Sequence, residues 1–347
     1  MGRGHLRYEA QVAELPRAPD ASRTTASLES IRDPIAEDLA CVDEVIRGKL
    51  ASDVVLIRSV AHYIVESGGK RLRPALLLLA ANACGAEGPA KHELAAVIEF
   101  IHTATLLHDD VVDESSLRRG KNTANAEFGN AAPVLVGDFL YSRAFQMMVG
   151  VGSLRVMSVL ADATNIIAEG EVLQLLNIHD ADTREEDYLR VIRFKTAKLF
   201  QAATQVGAIL GGAPAPVEAA LADYGMHLGT AFQLIDDVLD YSGDLQETGK
   251  NLGDDLAEGK PTLPLIYAMR AGNDEEKAVV RQAIEHGGKA DLERVVAAIH
   301  RVGALEYARA KARAEAAIAI DRLEALPGSA CRDSLLQLAN FSVERSF

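Results

Sequence analysis

The sequence predicts an all-α fold, a helical bundle around a central cavity. Apolar residues, mostly Ala and Leu, recur at spacings of three and four along nearly the whole chain. No alternating run of β-branched residues bounded by turn residues appears. Two long apolar helical patterns each end in a cluster of aspartates.

The helical pattern opens over residues 31–49 and 54–67, then over 74–83, where Pro74 suits a first turn. The stretch Cys84-Gly85-Ala86-Glu87-Gly88-Pro89 reads as a glycine cap followed by a proline that starts the next helix, 92–112. Within it, 97–107 is apolar on more than one face, as befits a helix at the centre of a bundle. Helices follow over 131–149, 158–177 and 185–210, then a second Gly-to-Pro break at 211–216 and a helix over 217–241. A glycine-containing segment, 243–264, precedes helices over 263–271, 275–285, 290–301, 305–323 and 331–343. No break is long enough for a linker, so 28–347 reads as one domain. Residues 1–27 lack the apolar core of a secretory signal, and Glu9, Glu14 and Asp20 count against a transit peptide; they read as a flexible tail.

Composition narrows the function class. The chain has 347 residues, of which 48% are hydrophobic, enough for a sizeable core. A net charge of −14 argues against a nucleic-acid binder. Cys41, Cys84 and Cys331 are widely spaced and form no CxxC pair, which fits free thiols in a reducing compartment, here taken as the cytoplasm. No apolar run approaches the roughly 18 residues of a membrane span. The sequence shows no amphipathic basic helix, leaving at most transient membrane contact.

The chemistry concentrates in two similar segments, His108-Asp109-Asp110-Val111-Val112-Asp113 and Ile235-Asp236-Asp237-Val238-Leu239-Asp240. Residues four apart share a helix face, so Asp109 converges with Asp113 and Asp236 with Asp240. One such run alone is commonly a solvated face; two copies in apolar settings point to a paired metal site. Hard carboxylate oxygens suit Mg²⁺, which keeps waters and takes further ligands from substrate phosphates. The two segments form a loose internal repeat, which allows them to face each other across one cavity.

Cations accompany both motifs. Lys70-Arg71-Leu72-Arg73-Pro74 follows two glycines and opens a helix, an arrangement suited to an anion and otherwise a basic surface loop. Arg118 and Arg119 trail the first motif, where guanidinium groups can grip phosphate oxygens. Lys195-Thr196 lies mid-helix among apolar residues, and Lys250 and Lys260 follow the second motif. His102 lies on the Asp109 face of its helix and can reach the same cavity, whereas His108 reads as a core or supporting residue. No GxxxxGK[ST] loop, GxGxxG turn, or Ser/His/Asp or Cys/His constellation is recognisable.

The combination GGKRLRP, HDDVVDE with RRGK, FKT, and FQLIDDVLD with GDDLAEGKPTLP resembles the trans-isoprenyl diphosphate synthases from about residue 30 to the C-terminus. The stretch 98–148 is most similar to bacterial members that make a chain of eight isoprene units, a precursor of quinone side chains. One departure is Phe194 before Lys195, where relatives often carry Ser. The resemblance implies that Lys70, Arg73, His102 and Arg119 hold isopentenyl diphosphate. It assigns the allylic diphosphate, farnesyl diphosphate being the expected primer, to Arg118, Lys195, Thr196, Gln233, Lys250 and Lys260. Mg²⁺ would be bridged by Asp109, Asp113 and Asp236, three ions with substrate bound, and supported by Asp110, Asp237 and Asp240. It also implies a homodimer, through Ala/Leu-rich helices that the sequence does not single out.

These assignments make chemical sense. Expelling diphosphate from an allylic carbon creates a cation and a highly charged leaving group, which metal ions and Lys/Arg stabilise. The carbocation needs aimed dipoles, such as the Thr196 hydroxyl and Gln233 carbonyl, and released diphosphate can take the final proton.

Product length is expected to depend on the turn before Asp109, where Ala104 and Thr105 stand in place of the bulky aromatics of short-chain members. Ile101 and Val97 would continue the tunnel wall, with Phe145, Met147 and Met148 as floor candidates or ordinary core residues. Two other readings compete. A terpene cyclase usually pairs one aspartate motif with an Asn/Ser/Glu triad and lacks the isopentenyl-binding set, whereas a silent partner subunit commonly loses aspartates or cations; here both sets are complete.

Overall fold

A computed structural model describes residues 27–66, 70–118, 120–242, 253–287 and 291–345, without the side chains of 61–66. The expected tail, apart from Ser27, lies outside the described residues, as do Arg119 and Lys250.

The chain is helical where the apolar spacing said it would be. It opens with α1 (Leu28–Arg32), capped by the Ser27 side chain, and α2 (Ala36–Lys49), separated by a tight turn at Asp33–Ile35 around Pro34. There follow α3 (Val55–Glu66), α4 (Leu72–Ala83) and α5 (Ala90–Val112). After α5 comes a two-rung antiparallel hairpin, β1 (Leu117–Arg118) with β2 (Lys121–Asn122), too short to have left an alternating signature. The chain continues through α6 (Ala124–Phe128), α7 (Ala131–Val151) and α8 (Leu154–Asn177), the last capped by Ser153.

The expected helix over 185–210 is interrupted. It comprises α9 (Glu185–Ile192), a π-helical turn over Arg193–Ala197, and α10 (Lys198–Leu210). Then come α11 (Ala215–Ser242), α12 (Asp254–Ala257), α13 (Leu263–Ala271) and α14 (Asp274–His286). The chain closes with α15 (Leu292–Arg301), α16 (Ala304–Arg322) and α17 (Ala330–Glu344). Both Gly-to-Pro breaks turn as expected, with Gly85 and Gly212 at positive φ.

Burial explains the arrangement. In α4 every residue from Leu76 to Ala81 is fully buried, and in α5 the run Leu94–Ile101 is buried too. These two pack together with α10, and α10 packs on α11, the longest helix, which lies along α16. The largest apolar cluster joins α4, α5, α7, α8 and α10; smaller clusters knit α13–α16 to the second aspartate helix. Both motifs therefore end helices whose other turns are locked in the core. Among the described residues no helix is long and apolar enough to cross a membrane.

Candidate active site

The π turn at Arg193–Ala197 organises the site. Its two central residues reach opposite ways: Lys195 Nζ lies 3.4 Å from Asp109 Oδ1 of the first motif, while Thr196 Oγ1 donates to Gln233 Oε1 at 3.0 Å. Gln233 Nε2 in turn donates to Asp237 Oδ1 of the second motif at 2.8 Å. A single turn of chain thus links the two motifs, directly at Asp109 and through Gln233 at Asp237. A π turn adds a residue to the helix and thereby re-aims its side chains, a device common at functional sites.

Close packing fixes this turn. A Cβ on Gly170 of α8 would lie 2.6 Å from the backbone N of Lys195, and one on Gly229 of α11 would lie 2.6 Å from Ala197 Cα. The turn is thus clamped between two helices that approach it without side chains. Its first residue is tied to α16 by Arg193 Nη2 on Glu315 Oε1 at 3.1 Å.

In the first motif Asp109 shares Lys195 with Glu171 of α8, whose Oε2 is 2.5 Å from Nζ. Asp110 is buried and accepts from Arg118 Nη2 at 2.6 Å. Asp113, the C-cap of α5, accepts from Lys260 Nζ at 2.8 Å, and Lys260 also meets Glu258 at 2.5 Å. Lys260 follows the second motif in sequence, so this is a second bridge between the motifs. His108 turns away, its Nε2 3.1 Å from Val134 O and 3.6 Å from Asp138 on α7, in keeping with a supporting place.

In the second motif Asp236 pairs with Arg345 at 2.5 Å, and that guanidinium also bonds the Phe232 carbonyl and stacks 3.8 Å from the Phe232 ring. Asp237 is buried and accepts from Tyr188 OH at 2.5 Å. Asp240 accepts the Asp255 backbone N–H at 3.3 Å.

The basic segment before α4 divides. Arg73 Nη1 lies 2.9 Å from His102 Nε2, its guanidinium 4.6 Å from the Phe200 ring centroid, and Lys70 is exposed. Since Arg is a donor only, His102 Nε2 accepts and the ring proton sits on Nδ1.

Charge and burial set the protonation of these groups. Burial alone would lower the Lys195 ammonium, but Asp109 and Glu171 outweigh it and hold it above its ordinary value. Lys260 is likewise raised against burial, by Asp113, Asp255 and Glu258. Burial pushes Asp110 upward against the pull of Arg118, and burial with Asp255 pushes Asp237 up to about 8. Glu171 is pushed up to about 7 by burial, with Lys195 opposing and Asp109 reinforcing.

The donor set is carboxylate oxygen, with Asp109, Asp110, Asp113 and Asp236 already against cations. Among the described residues no three His, Cys, Asp or Glu side chains converge to hold an ion by themselves. That donor chemistry fits Mg²⁺, whose remaining ligands are substrate phosphates and water.

Of the residues tied to product length, Val97, Ile101 and Ala104 are fully buried, Thr105 is half-buried with its hydroxyl on the His102 carbonyl at 2.7 Å, and Met147 and Met148 are buried. Phe145 must be corrected. It is 40% exposed, on an outward stripe of α7 with Leu135, Ser142 and Val149, because residues three and four apart share that face. It does not close a cavity within this chain.

Sequence reading missed Glu171, Tyr188, Arg345, Asp255 and Glu258. Glu171, Tyr188 and Arg345 stand outside both aspartate motifs and the basic segments. Only Glu258 and Asp255, inside the GDDLAEGKPTLP segment, carried a signal that could have been followed.

An all-α bundle that sets two aspartate motifs against half-buried lysines and arginines has the build of a prenyltransferase acting on diphosphates. The polyprenyl synthetase family pattern matches residues 54–302. The chain is 56% identical over 320 residues to octaprenyl diphosphate synthase of Escherichia coli K12, covering 92% of this chain and 99% of that one. It is 48% identical to an all-trans-nonaprenyl-diphosphate synthase, geranyl-diphosphate specific, of Rhodobacter capsulatus, covering 90% and 96%. A polyprenyl synthase structure from Caulobacter crescentus CB15, complexed with calcium and isoprenyl diphosphate, superposes with a TM-score of 0.90 at 43% identity, covering 94% and 100%. The chain belongs to the polyprenyl synthetase family.

Proposed function

We propose that this protein is a long-chain trans-polyprenyl diphosphate synthase that makes octaprenyl diphosphate, condensing isopentenyl diphosphate onto an allylic primer such as farnesyl diphosphate. One observation supports it most: of two residues adjacent in a π turn, Lys195 reaches Asp109 of the first motif and Thr196 reaches Asp237 of the second through Gln233. The 56% identity to an octaprenyl synthase favours eight units over the nine of the more distant R. capsulatus relative.

Asp109, Asp113 and Asp236 would hold Mg²⁺, which supplies charge neutralisation for the departing diphosphate. Lys195 and Lys260 already lie on Asp109 and Asp113, and Arg118 on the adjacent Asp110, and all three can turn to phosphate oxygens as substrate arrives. Thr196 donates to the Gln233 carbonyl, aligning two dipoles beside the site of ionisation. Arg73 and His102 would hold isopentenyl diphosphate from α4 and α5, with Lys70, Arg119 and Lys250 completing the anion-binding set.

The test is product analysis with Mg²⁺, farnesyl diphosphate and labelled isopentenyl diphosphate. A dominant C40 prenol is expected. In the same assay Ala104→Phe, which places a large ring on the fully buried wall of α5, should shorten the main product; an unchanged ladder would remove Ala104 from the tunnel.

The homodimer would form through α7 and α8. Their outward faces expose Leu135, Val149, Leu154, Val172, Leu175 and Leu176, with Leu154 84% and Leu176 71% exposed. An apolar stripe of this extent marks an interaction surface. Leu154→Glu combined with Leu176→Glu should convert a dimer to a monomer in size-exclusion light scattering; a variant that keeps the wild-type mass would move the interface elsewhere.

A further inference from the structure

We propose that Arg71 and Glu99 are a positioning pair for isopentenyl diphosphate, setting the place of Arg73 and His102 without touching substrate. The inference rests on the function proposed above. Arg71 and Arg73 leave the same turn and dock on the same helix. Arg71 Nη1 meets Glu99 Oε1 at 2.5 Å, and Arg73 Nη1 meets His102 Nε2 at 2.9 Å. Glu99 and His102 are three residues apart on α5 and so neighbours on its surface. The start of α4 is thus pinned to α5 at two points, the first on a buried carboxylate.

The buried pin is built with care. Glu99 is 7% exposed in the middle of an apolar helix, a place where a carboxylate persists only when paired. Besides Arg71 it attracts Arg32 of α1, while Arg71 Nε lies 3.5 Å from Asp43 of α2. Arg71 also has φ of +43°, a left-handed conformation that a residue with a Cβ adopts only under constraint. At the N-cap of α4, that kink carries the chain from exposed Lys70 into the helix, and the Arg71 carbonyl accepts from Ala75 N at 3.0 Å. The ion pair holds the kink, and the kink aims Lys70 and Arg73. The Arg71 guanidinium is engaged by Glu99 and Asp43, so its charge serves placement.

The experiment uses the full-length protein and the variants Glu99→Gln, Arg71→Lys and Arg71→Gly. The affinity for isopentenyl diphosphate is read by calorimetry, the two KM values and kcat by steady-state elongation. Displacing the grip by an ångström should weaken isopentenyl diphosphate about tenfold or more in affinity and KM, with the allylic KM within about twofold. Arg71→Lys keeps the charge but loses the fork, and should fail with Glu99→Gln. Arg71→Gly relieves the left-handed backbone but lacks the ion pair, and should fail as well. Wild-type isopentenyl diphosphate affinity in Glu99→Gln or Arg71→Gly would overturn the pairing. Equal weakening of both substrates together with a lowered unfolding midpoint would reduce it to a fold contact and overturn it too. A wild-type protein that binds isopentenyl diphosphate yet does not elongate it would instead refute the proposed function, with the affinities of the variants still deciding the pair.

Discussion

Replacing Lys195 with alanine is expected to lower kcat/KM for the allylic substrate by about 10²–10³-fold, the size of effect seen when one preorganised donor to a developing oxyanion is removed. Affinity for isopentenyl diphosphate should stay within a few-fold of wild type, because Arg73 and His102 are positioned from other helices. The asymmetry follows from what Lys195 touches. Its ammonium is shared by Asp109 at 3.4 Å and Glu171 at 2.5 Å, with only 17% of the side chain exposed. Without it two carboxylates face each other in a poorly solvated space, and either one takes up a proton or the helices part. Deleting one partner of a half-buried ion cluster leaves like charges facing each other, so the variant should also unfold at lower temperature. Lys195→Ala with Glu171→Gln removes that repulsion. The double variant should recover most of the stability but none of the allylic kcat/KM, since the cation that neutralises the leaving group is still missing. Steady-state kinetics on both substrates and thermal unfolding together check this; recovery of activity in the double variant would assign Lys195 a structural place only.

What was legible in the sequence was what repetition makes visible. Helices announce themselves through the period of their apolar face, and α4, α5, α7, α8 and α11 fell within a few residues of the expected ranges. The aspartate motifs were visible because each is a local cluster, and GGKRLRP because glycine and arginine crowd together. Lone residues were not. Glu171 reads as one acid on an ordinary helix, and Tyr188 as one more apolar contact of α9. Their roles arise from the folding of α8 and α9 against the first and second motifs. The π turn was invisible for a related reason: it lies inside a continuous helical run, with no Gly or Pro to mark it. Phe145 failed in the other direction. Periodicity gives a helix two apolar stripes without saying which one faces the core of its own chain.

The strongest consequence of that hidden turn concerns Gly170. Gly170→Ala adds a single methyl group that would sit 2.6 Å from the Lys195 backbone N and 2.9 Å from Phe194 Cβ. Neither neighbour is a flexible side-chain end, so backbone has to move. Overpacking of this kind costs about 1–3 kcal/mol, which a chain with so large a core should survive folded. Catalysis should suffer more than stability. Lys195 and Thr196 depend on the turn for their opposite aims, and a displacement of about 1 Å at a positioned group can cost about 10²-fold in rate. Gly229→Ala, whose methyl would meet Ala197 Cα at 2.6 Å from the opposite side, should push the turn toward α8 and have a similar effect. A control is Gly150→Ala on α7, where a Cβ meets nothing within 4 Å and the helix should be unaffected or slightly favoured. The measurement is elongation rate against unfolding midpoint for the three variants. A steep fall in rate with a modest loss of stability for Gly170 and Gly229, and neither for Gly150, is the result expected of a clamped catalytic turn. If rate followed stability in proportion across all three, the glycines would be packing residues and the turn would owe its shape to other contacts.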